Sequence, residues 1–426
     1  MKLLVVGGGG REHAIIKKLK ENKNVTEIFA CPGNGGIAKD ATCVHIGAKD
    51  IDGIQKFATE NKIDFCVVAP DDPLVLGCVD ALEAVGIPCF GPNKMAARIE
   101  GSKVFSKNLM QKYGIPTADY AVYDDPKKAL DYIIEKNEFP TVIKADGLAL
   151  GKGVVIAQNL DEAKDAIHSI MEDKKFGDSG NQIVIEEFLE GPEVSVLSFT
   201  DGTHIAPMVS SMDHKRALDG DKGLNTGGMG TVAPNPYYTE DIAAECMEKI
   251  FLPTLKAMRQ EDSTFKGCLY FGLMLTKNGP KVIEYNCRFG DPETQVVLPL
   301  LKTDLFTIMQ AVHDETLDQI QVEWKDGAAA CVIVASGGYP VSYKKNIPMT
   351  MGKSEALKDI TVYHAGTALL DGQLVTSGGR VLGVTAVGSD LQNALDKAYK
   401  AVKEIDFKDM FYRKDIGQRA LKALTK

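Results

Sequence analysis

The sequence predicts an α/β protein with three units: an N-terminal doubly wound parallel-sheet domain, a central α+β region and a C-terminal β-rich domain. Three observations support this prediction. A chain of 426 residues has room for about three domains of ~100 to 200 residues each. Its 44% hydrophobic content is sufficient for buried cores. Short β-branched runs alternate with amphipathic stretches over the first hundred residues, whereas strand-like runs dominate after Val322.

Composition excludes several classes of protein. A net charge of -9 argues against nucleic acid as the main partner, because neutralising phosphates requires a basic surface. Nine cysteines are scattered singly, without the paired spacing of a zinc site, and an odd number favours reduced thiols. No apolar run reaches the length of a membrane span, and the N-terminal run is too short for a signal peptide. We therefore expect a cytoplasmic protein with no membrane partner.

The first hundred residues read as parallel strands separated by helices. The strands are "KLLVVGGGG", "VTEIFACPGNGG" and "IDFCVVAPDDPLVLG", and the helices between them include "REHAIIKKLKEN" and "IDGIQKFATENK". Ligands of such sheets lie at the carboxyl ends of the strands, which here carry "GGGGREH", "PGNGG" and "PDDP". Glu12 stands where a dinucleotide fingerprint needs a third small residue, which argues against a nicotinamide or flavin site. A tight strand-to-helix turn explains part of the glycine run, and Arg11 beside it suits a sugar phosphate.

The stretch "VIKADGLALGKGVVIA", Val142 to Ala157, predicts a hairpin with a glycine-rich tip. Glycine in an ordered tip is tolerated where the backbone approaches a ligand closely or moves. Lys144 and Lys152 would place positive charge beside the tip, where a polyphosphate could bind. An exposed hairpin with lysines for solubility remains the alternative from this segment alone.

Two acidic and polar segments follow the hairpin. "QIVIEEFLEGPEVSVLSFTDG" predicts two strands around a glycine-proline turn, and its glutamates between residues 186 and 193 could simply form a solvated face. "SSMDHKRALDGDKGLNTGGMGTVAPNP" predicts a long structureless loop, which in a compact protein is either functional or disordered. Its combination of Asp213, Lys215 and Arg216 with glycine turns favours a functional loop.

The segment "KVIEYNCRFGDPETQ" carries the strongest chemical signal. Glu284 and Asn286 are two residues apart on a predicted strand, so both side chains point to one face, and Arg288 continues the same spacing. A carboxylate and an amide oxygen can share Mg²⁺ with phosphate oxygens at a nucleotide site. The alternative is the polar face of an edge strand. We disfavour it because the "GDP" turn would hold Arg288 and Glu293 beside the same cavity.

Ten motifs over the whole chain carry a family resemblance: "GGREHAI", "PGNGGIA", "GPNKMAARIEGSK", "VIKADGLALGKGV", "EEFLEGPEVS", "DHKRALDGDKGLNTGGMG", "VIEYNCRFGDPETQ", "ASGGYPVSY", "TSGGRVLGVTA" and "YRKDIGQRAL". Together they resemble the phosphoribosylamine-glycine ligase family of the ATP-grasp superfamily. The resemblance implies an ATP-grasp α+β core whose mobile lid subdomain closes over the phosphates of ATP. It also implies domains at 1–102, 103–321 and 322–426, with the lid at about 122–188.

The resemblance implies a role for each matching residue. The lysines and lid glycines would hold the ATP phosphates, the stretch 186–189 would bind adenine, and Glu193 would bind ribose. Magnesium, with manganese as a substitute, would be bound by Glu284 and Asn286. The ATP-binding residues would be Lys103, Lys144, Gly147, Gly151, Gly153, Glu186, Glu187, Phe188, Leu189 and Glu193. The catalytic residues would be Arg288, Lys215, Arg216 and Lys152. The substrate-binding residues would be Gly9, Arg11, Glu12, Pro32, Gly33, Asn34, Asp213, Asn225, Thr226, Gly227, Gly228 and Asp291.

The implied reaction joins glycine to 5-phosphoribosylamine through glycyl phosphate, giving glycinamide ribonucleotide, ADP and phosphate in purine biosynthesis. An ATP-grasp ligase for another acid or amine is the alternative, and we expect a monomer. A non-catalytic nucleotide sensor would lack the metal and substrate residues that this chain retains. "CLYFGLML" has no carboxylate where many relatives carry another metal ligand, so the number of magnesium ions stays open. Asp71 stands where we expect a glutamate, and His13 and His214 are the histidines worth testing.

Overall fold

The computed structural model describes residues 1–148 and 153–425, and its N-terminal region is the predicted doubly wound parallel sheet. The strands are β1 (Lys2–Gly7), β2 (Glu27–Pro32), β3 (Thr42–Cys43), β4 (Phe65–Val68) and β5 (Cys89–Phe90). The helices are α1 (Gly10–Leu19), α2 (Ile51–Glu60), α3 (Asp71–Leu76), α4 (Cys78–Glu83) and α5 (Lys94–Gly101). The strand order is β3-β2-β1-β4-β5, so the order reverses beside β1 and opens a crevice at the carboxyl ends of β1 and β4.

The second region carries an antiparallel sheet of order β6-β9-β7-β8, which we call the lid sheet. Its elements are α6 (Lys103–Tyr113), β6 (Tyr120–Tyr123), α7 (Pro126–Lys136), β7 (Thr141–Ala145), β8 (Val154–Ala157), α8 (Leu160–Ile167) and β9 (Ile183–Glu187). The predicted hairpin is confirmed as β7 paired with β8, and its tip at 149–152 lies outside the described residues. Ile143 and Ile185 pack with the helices, so the alternation of a strand turns Lys144 and Glu186 to the other face.

The third region contains a second antiparallel sheet of order β11-β10-β16-β17. Its strands and ribbons are β10 (Glu193–Thr200), β11 (Ile205–Pro207), β12 (Met212–Asp213), β13 (Arg216–Leu218), β14 (Lys222–Asn225), β15 (Gly230–Ala233), β16 (Gly267–Thr276) and β17 (Gly279–Asn286). Its helices are α9 (Glu240–Cys246), α10 (Leu252–Gln260), α11 (Thr294–Leu300) and α12 (Leu305–His313). Both strands predicted around the turn at Gly191 form, but β9 and β10 belong to different sheets.

The prediction of a structureless loop over residues 210–236 is wrong. The segment contains β12, a two-stranded ribbon of β13 and β14, and β15. The ribbon turns at Asp219, Gly220 and Asp221, the last two with positive φ. The strands are only two to four residues long, and β15 pairs with a strand about a hundred residues later, so local periodicity does not reveal them.

The C-terminal region is β-rich, as predicted. Its elements are β18 (Ala328–Ala335), β19 (Met349–Thr350), β20 (Ile360–His364), β21 (Thr367–Leu370), β22 (Gln373–Thr376), β23 (Arg380–Gly388), α13 (Leu391–Val402), β24 (Asp406–Phe407) and α14 (Gln418–Leu424). The main sheet has the order β12-β15-β18-β23-β20 and therefore includes two strands that precede residue 322. Helix α13 buries Ala394, Leu395 and Ala398 in the same apolar cluster as the sheet.

Short 3-10 turns lie at Ile37–Lys39, Gly177–Gly180, Leu317–Gln319 and Ser354–Ala356, and π-turns at His168–Glu172 and Met247–Phe251 continue α8 and α9. Within residues 1–148 and 153–425, no helix combines the length and apolar character that crossing a membrane requires.

Candidate active site

Two of the predicted phosphate-binding lysines meet where α6, the lid sheet and β17 converge. Ser102 caps α6 by accepting a hydrogen bond from Phe105 N at 3.1 Å, which places Lys103 in the first turn. Lys103 Nζ donates to the Gly147 carbonyl at 2.8 Å. Lys144 Nζ lies 3.0 Å from Glu186 Oε2 and donates to the Ile283 carbonyl at 3.2 Å.

A third lysine, Lys107, belongs to this cluster and was missed from the sequence. Its Nζ lies 3.2 Å from the same oxygen of Glu186 and donates to Thr117 Oγ1 at 2.8 Å. Burial lowers the pKa of Lys107 to about 8, although the charge of Glu186 opposes the shift. Lys107 follows Lys103 by one helical turn, and that spacing could have revealed it. We call Lys103, Lys107, Lys144 and Glu186 the lysine end of the cleft.

The stretch predicted to bind adenine connects the lid sheet to β10. Glu187 Oε2 accepts from Asp119 N at 3.1 Å and lies 3.4 Å from Lys281 Nζ. Phe188 and Leu189 are partly exposed, and Glu186 Oε1 is buried without a hydrogen-bond partner in the described structure. A cavity of about 460 Å³ lies between this stretch and α7.

Glu284 and Asn286 share one face of β17, as the spacing predicts. Tyr285 between them points the other way and shares a hydrogen bond with Thr254 Oγ1 at 2.9 Å. Burial raises the pKa of Glu284, but the charges of Lys215, Lys144 and Lys103 outweigh it and hold that pKa below its usual value. Glu284 therefore lies in the field of the predicted phosphate-binding lysines.

The oxygen ligands on β17 fit magnesium of the kind found at nucleotide sites. Within the described ranges, no group of three histidine, cysteine, aspartate or glutamate side chains is arranged to hold a metal. The pair on β17 supplies one carboxylate and one amide oxygen, and Mg²⁺ commonly takes its other ligands from phosphates and water. Arg288 Nη2 donates to Asn286 Oδ1 at 3.1 Å, which fixes the amide with its oxygen toward Arg288.

Arg288 forms the centre of a second charged cluster. Its Nη2 also donates to Glu100 Oε1 at 3.0 Å, and Glu100 Oε2 accepts from Cys287 N at 2.7 Å. The Nε atom of Arg288 is buried and has no partner among the residues described. Asp71 begins α3 directly after β4, so the unexpected aspartate stands at the crevice of the parallel sheet. Burial raises the pKa of Asp71, but the charges of Arg288 and Arg11 outweigh it and lower that pKa.

The predicted substrate residues after β1 contact the "GDP" turn. Arg11 bonds to Glu12 through Nε and donates from Nη1 to the Phe289 carbonyl at 3.2 Å. The backbone N–H of Arg11 donates to Asp291 Oδ2 at 3.3 Å, and Glu12 caps the amide of Gly9. The predicted motif after β1 and the predicted "GDP" turn are therefore in direct contact.

The loop after β2 is fixed mainly by Asn34. Its Nδ2 donates to the Gly8 carbonyl at 2.9 Å and to the His364 carbonyl at 2.8 Å. Its Oδ1 accepts from Gly36 N and Ile37 N, so the amide is used within the protein. Pro32 ends β2, and Gly33 follows with a φ of +72°, a conformation that favours glycine.

The segment between β12 and β15 contributes Lys215 and a glycine turn. Lys215 Nζ lies 3.1 Å from Glu193 Oε2 and 3.9 Å from Glu284 Oε1, so it connects the predicted ribose and metal carboxylates. Arg216 Nη1 donates to the Gly223 carbonyl within its own ribbon, at 2.9 Å, and pairs with Asn225 across it.

The glycine turn packs against the "GDP" turn. Thr226 Oγ1 donates to the Lys215 carbonyl at 2.8 Å. A Cβ on Gly228 would lie 2.5 Å from Pro292 Cδ and 2.7 Å from Asp213 Oδ1, so only glycine fits there. Arg380, which sequence reasoning also missed, donates from Nη1 to the carbonyls of Gly227 and Asp291, both at 2.7 Å. Its place in "TSGGR", beside two glycines, was the available signal.

The predicted lid residues are only partly described by the structure. Gly151 and Lys152 lie outside the described residues. Gly147 has a φ of +87°, and the Gly153 carbonyl accepts from Ala145 N at 2.8 Å.

The two histidines singled out from the sequence are buried, and burial lowers the pKa of both His13 and His214 to about 4. His13 Nε2 bonds to Asp40, and its Nδ1 accepts from His364 N at 2.8 Å. His13 is thus committed to packing between the N-terminal and C-terminal regions.

The chain matches three family models in sequence order. Residues 1–100, 101–294 and 329–419 match the N domain, the ATP-grasp (A) domain and the C domain of phosphoribosylglycinamide synthetase. A phosphoribosylamine–glycine ligase of Caldanaerobacter subterraneus is 48% identical over 98% of this chain and 99% of its own. The crystal structure of such a ligase from Thermotoga maritima superposes with a TM-score of 0.84 at 33% identity, over 98% of this chain and all of that one. A biotin carboxylase domain of Hydrogenobacter thermophilus, solved with MgADP, shares the fold alone, with a TM-score of 0.74 at 15% identity over 96% of this chain and 91% of that one.

Proposed function

We propose, from the premise that the chain belongs to the phosphoribosylglycinamide synthetase family, that its cleft joins glycine to 5-phosphoribosylamine. The chain is a ligase of purine biosynthesis, and its ATP-grasp fold implies the use of ATP and a divalent metal. One observation supports the assignment of the site above all. The lysine end, the oxygen pair on β17 and the loop after β1 meet around Glu284 and Arg288, because Lys144 bonds to the Ile283 carbonyl, Arg288 bonds to Asn286, and Arg11 bonds to the Phe289 carbonyl.

In the first step, a glycine carboxylate oxygen attacks the γ-phosphorus of ATP, the bond to the β-phosphate oxygen breaks, and ADP leaves. Lys103 and Lys144 hold the phosphates in line for this transfer, which depends mostly on positioning and charge neutralisation. Each lysine supplies about 4 kcal/mol of attraction at ~4 Å and an effective dielectric near 20, before desolvation is subtracted. Glu284 and Asn286 would hold magnesium, or manganese in its place, which neutralises charge on the transferring phosphate.

In the second step, the amine of 5-phosphoribosylamine attacks the carbonyl carbon of glycyl phosphate. The new carbon–nitrogen bond forms, inorganic phosphate leaves with the bridging oxygen, and the amine loses a proton. Arg288, Lys215 and Arg216 stabilise the acyl phosphate in this proposal, although the Arg216 guanidinium bonds to the Gly223 carbonyl of its own ribbon in the structure. The phosphoribosyl group binds along Arg11, the loop at 32–34 and the glycine turn.

The nucleotide binds on the side of the cleft opposite the phosphoribosyl group. The backbone of residues 186–189 binds adenine, and Glu193 binds the ribose hydroxyls. Gly147 and Gly153 anchor the lid loop. Lys152 closes over the phosphates in this proposal.

We also propose that the enzyme acts as a cytoplasmic monomer without a nucleic-acid partner. Nine free cysteines, eight of them buried, support a reducing environment. The net charge of -9 supports the absence of nucleic acid among the partners.

Oxygen transfer tests the proposed reaction. With glycine labelled by ¹⁸O in its carboxylate, ATP, magnesium and phosphoribosylamine generated in place, one label should appear in inorganic phosphate. Label confined to the amide product would rule out glycyl phosphate. Product formed with another small acid or amine, and none with glycine, would favour the alternative ligase.

A further inference from the structure

A segment near residue 413 binds the ribbon of β13 and β14 through hydrogen bonds and ion pairs. Arg413 is only 2% exposed, although it carries a full charge. Its Nε and Nη2 donate to the two carboxylate oxygens of Asp415, both at 2.8 Å. Its Nη1 donates to the Arg216 carbonyl at 3.1 Å and to Asp221 Oδ1 at 2.9 Å. The guanidinium therefore joins its own segment to both the first strand and the turn of the ribbon.

Three further contacts follow the same segment along the ribbon. Asp415 Oδ2 accepts from Gly220 N at 2.8 Å, and Lys414 N donates to Asp219 Oδ1 at 2.8 Å. Gly417 N donates to His214 Nε2 at 3.1 Å. We call residues 413–417 with these bonds the clamp. The clamp reaches the ribbon at its turn, at its first strand and at the residue that precedes Lys215.

The ribbon needs such support because it is small and open to solvent. A two-stranded ribbon is marginally stable in water without packing. Its apolar side chains Leu218 and Leu224 are more than half exposed, at 52% and 56%. Packing of the ribbon's own side chains is therefore too limited to fix its orientation.

The base of the ribbon carries residues of the proposed site. Lys215 precedes β13, and Asn225 ends β14 directly before the glycine turn. Thr226 N and Thr226 Oγ1 both donate to the Lys215 carbonyl at 2.8 Å, which ties the two sides of the base together. Any rotation of the ribbon would move Lys215 and the glycine turn together.

We propose that Arg413 is a positioning residue for the substrate side of the cleft. It fixes the ribbon, and the ribbon fixes Lys215 and the turn from Asn225 to Gly228 against the "GDP" turn. This inference rests on the proposed function, since it assigns that turn to the acceptor substrate. Arginine suits the task because its planar fork binds one carboxylate with two nitrogens while the remaining nitrogen bonds elsewhere, which lysine cannot do.

Steady-state kinetics of Arg413→Met test the inference. We expect kcat/KM for 5-phosphoribosylamine to fall by at least about thirtyfold, because the glycine turn loses its orientation. The Kd of MgADP, measured by calorimetry, should change by less than about fivefold, because Lys103 and Lys144 keep their positions and only the pairing of Lys215 with Glu193 and Glu284 is disturbed. Arg419→Met is the matched control. Arg419 lies just beyond the clamp, in α14, its guanidinium is 3.6 Å from Asp221, and its side chain is 56% exposed, so its loss should change neither quantity by more than about twofold.

Arg413→Lys keeps the proposal testable if the methionine variant does not fold. It keeps the charge but loses the fork, so it should retain an unfolding midpoint near wild type and show a smaller loss of kcat/KM. Hydrogen exchange should accelerate at residues 213–228 and stay unchanged in the lid sheet.

The possible outcomes separate this inference from the proposed function. Wild-type enzyme that makes no amide from glycine and 5-phosphoribosylamine would refute the proposed function. An active wild type, combined with Arg413 variants that only lower the unfolding midpoint, would overturn the positioning role. A loss of MgADP affinity as large as the loss of kcat/KM would also overturn it, because the effect would then not be confined to the substrate side.

Discussion

The two ends of the cleft differ in their balance of positively and negatively charged side chains. At the lysine end, Lys107 and Lys144 share a single oxygen of Glu186, at 3.2 and 3.0 Å, so positive charge exceeds negative charge. At the other end, Arg288 pairs with Glu100 at 3.0 Å and Arg380 with Asp291 at 3.4 Å. We call Arg11, Arg288 and Arg380 with these carboxylates the arginine floor.

The difference reflects what each end binds. An excess of lysine charge in a partly buried site is completed by an anion such as the phosphates of ATP, and a compact ammonium can follow phosphates that move. Arginine with its own carboxylate is already neutralised and held by several hydrogen bonds, so it fixes geometry. The lysine end thus supplies attraction, whereas the arginine floor supplies position.

The largest effect should come from Glu284, which lies between the two ends. Glu284→Gln removes a charged oxygen ligand and nearly preserves volume, so the fold should survive. Turnover should fall by at least about a hundredfold, or ~2.7 kcal/mol, because the metal loses its only carboxylate on β17. Measuring turnover against magnesium and manganese concentration should show partial recovery at high metal.

The control for Glu284→Gln is Glu323→Gln, which removes an exposed carboxylate whose partner is Lys302. Its turnover and unfolding midpoint should match wild type. Near-normal turnover of Glu284→Gln at an unchanged magnesium requirement would show that β17 carries only a solvated polar face, and that would falsify the metal assignment.

A matched exchange of cations tests the comparison directly. Arg288→Lys keeps the charge but has a shorter side chain with one nitrogen, which cannot replace both Nη2, bonded to Glu100 and Asn286, and Nη1, bonded to the Phe289 carbonyl, so we expect kcat to fall about thirtyfold, or ~2 kcal/mol. Lys103→Arg also keeps the charge, in a partly exposed position, and should cost less than about fivefold. Equal losses in the two variants would show that the two ends do not differ in their need for geometry.

Much of the site follows from local pattern. The spacing of Glu284 and Asn286 predicts a shared face, and the glycine-rich hairpin predicts β7 and β8, because both features depend on neighbouring residues alone. The residues themselves predicted Mg²⁺ and a polyphosphate at these positions, whereas ATP, glycine and 5-phosphoribosylamine came from the family resemblance. The fold class was predictable for the same reason, because the alternation of strands and helices is local.

The missed features depend on distant partners. Strand β15 exists through pairing with β18, strand β12 pairs with β15 in turn, and Arg413 meets Asp221 across nearly two hundred residues. No period in the sequence reports such a contact. Lys107 is a different case, because its helical spacing from Lys103 was visible, but its role depends on a carboxylate that arrives from β9.

The smallest effect expected from removing a charged group of the site concerns Lys107 at the lysine end. Without Lys107, Glu186 would neutralise Lys144 alone and hold it away from phosphate. Lys107→Met should therefore raise the KM for ATP about tenfold, or ~1.4 kcal/mol, with little change in kcat. Lys127→Met, which removes a lysine from an exposed pair on α7, is the control and should leave the KM for ATP unchanged.

The pH dependence distinguishes a charge effect from a packing effect in the same variant. Because burial lowers the pKa of Lys107 to about 8, its ammonium is lost as the pH rises through that value, whereas an unfolded lysine stays charged. The KM of wild type for ATP should consequently rise between pH 7 and 9 toward that of Lys107→Met, and the variant should lack this rise. The contribution of Lys107 to folding stability should also increase with pH, from about 8 up to the ordinary lysine pKa of ~10.4, because over this range the unfolded chain binds more protons than the folded one. Parallel pH profiles for the two proteins would mean that Lys107 only fills space. The excess of positive charge at the lysine end would then be smaller by one charge.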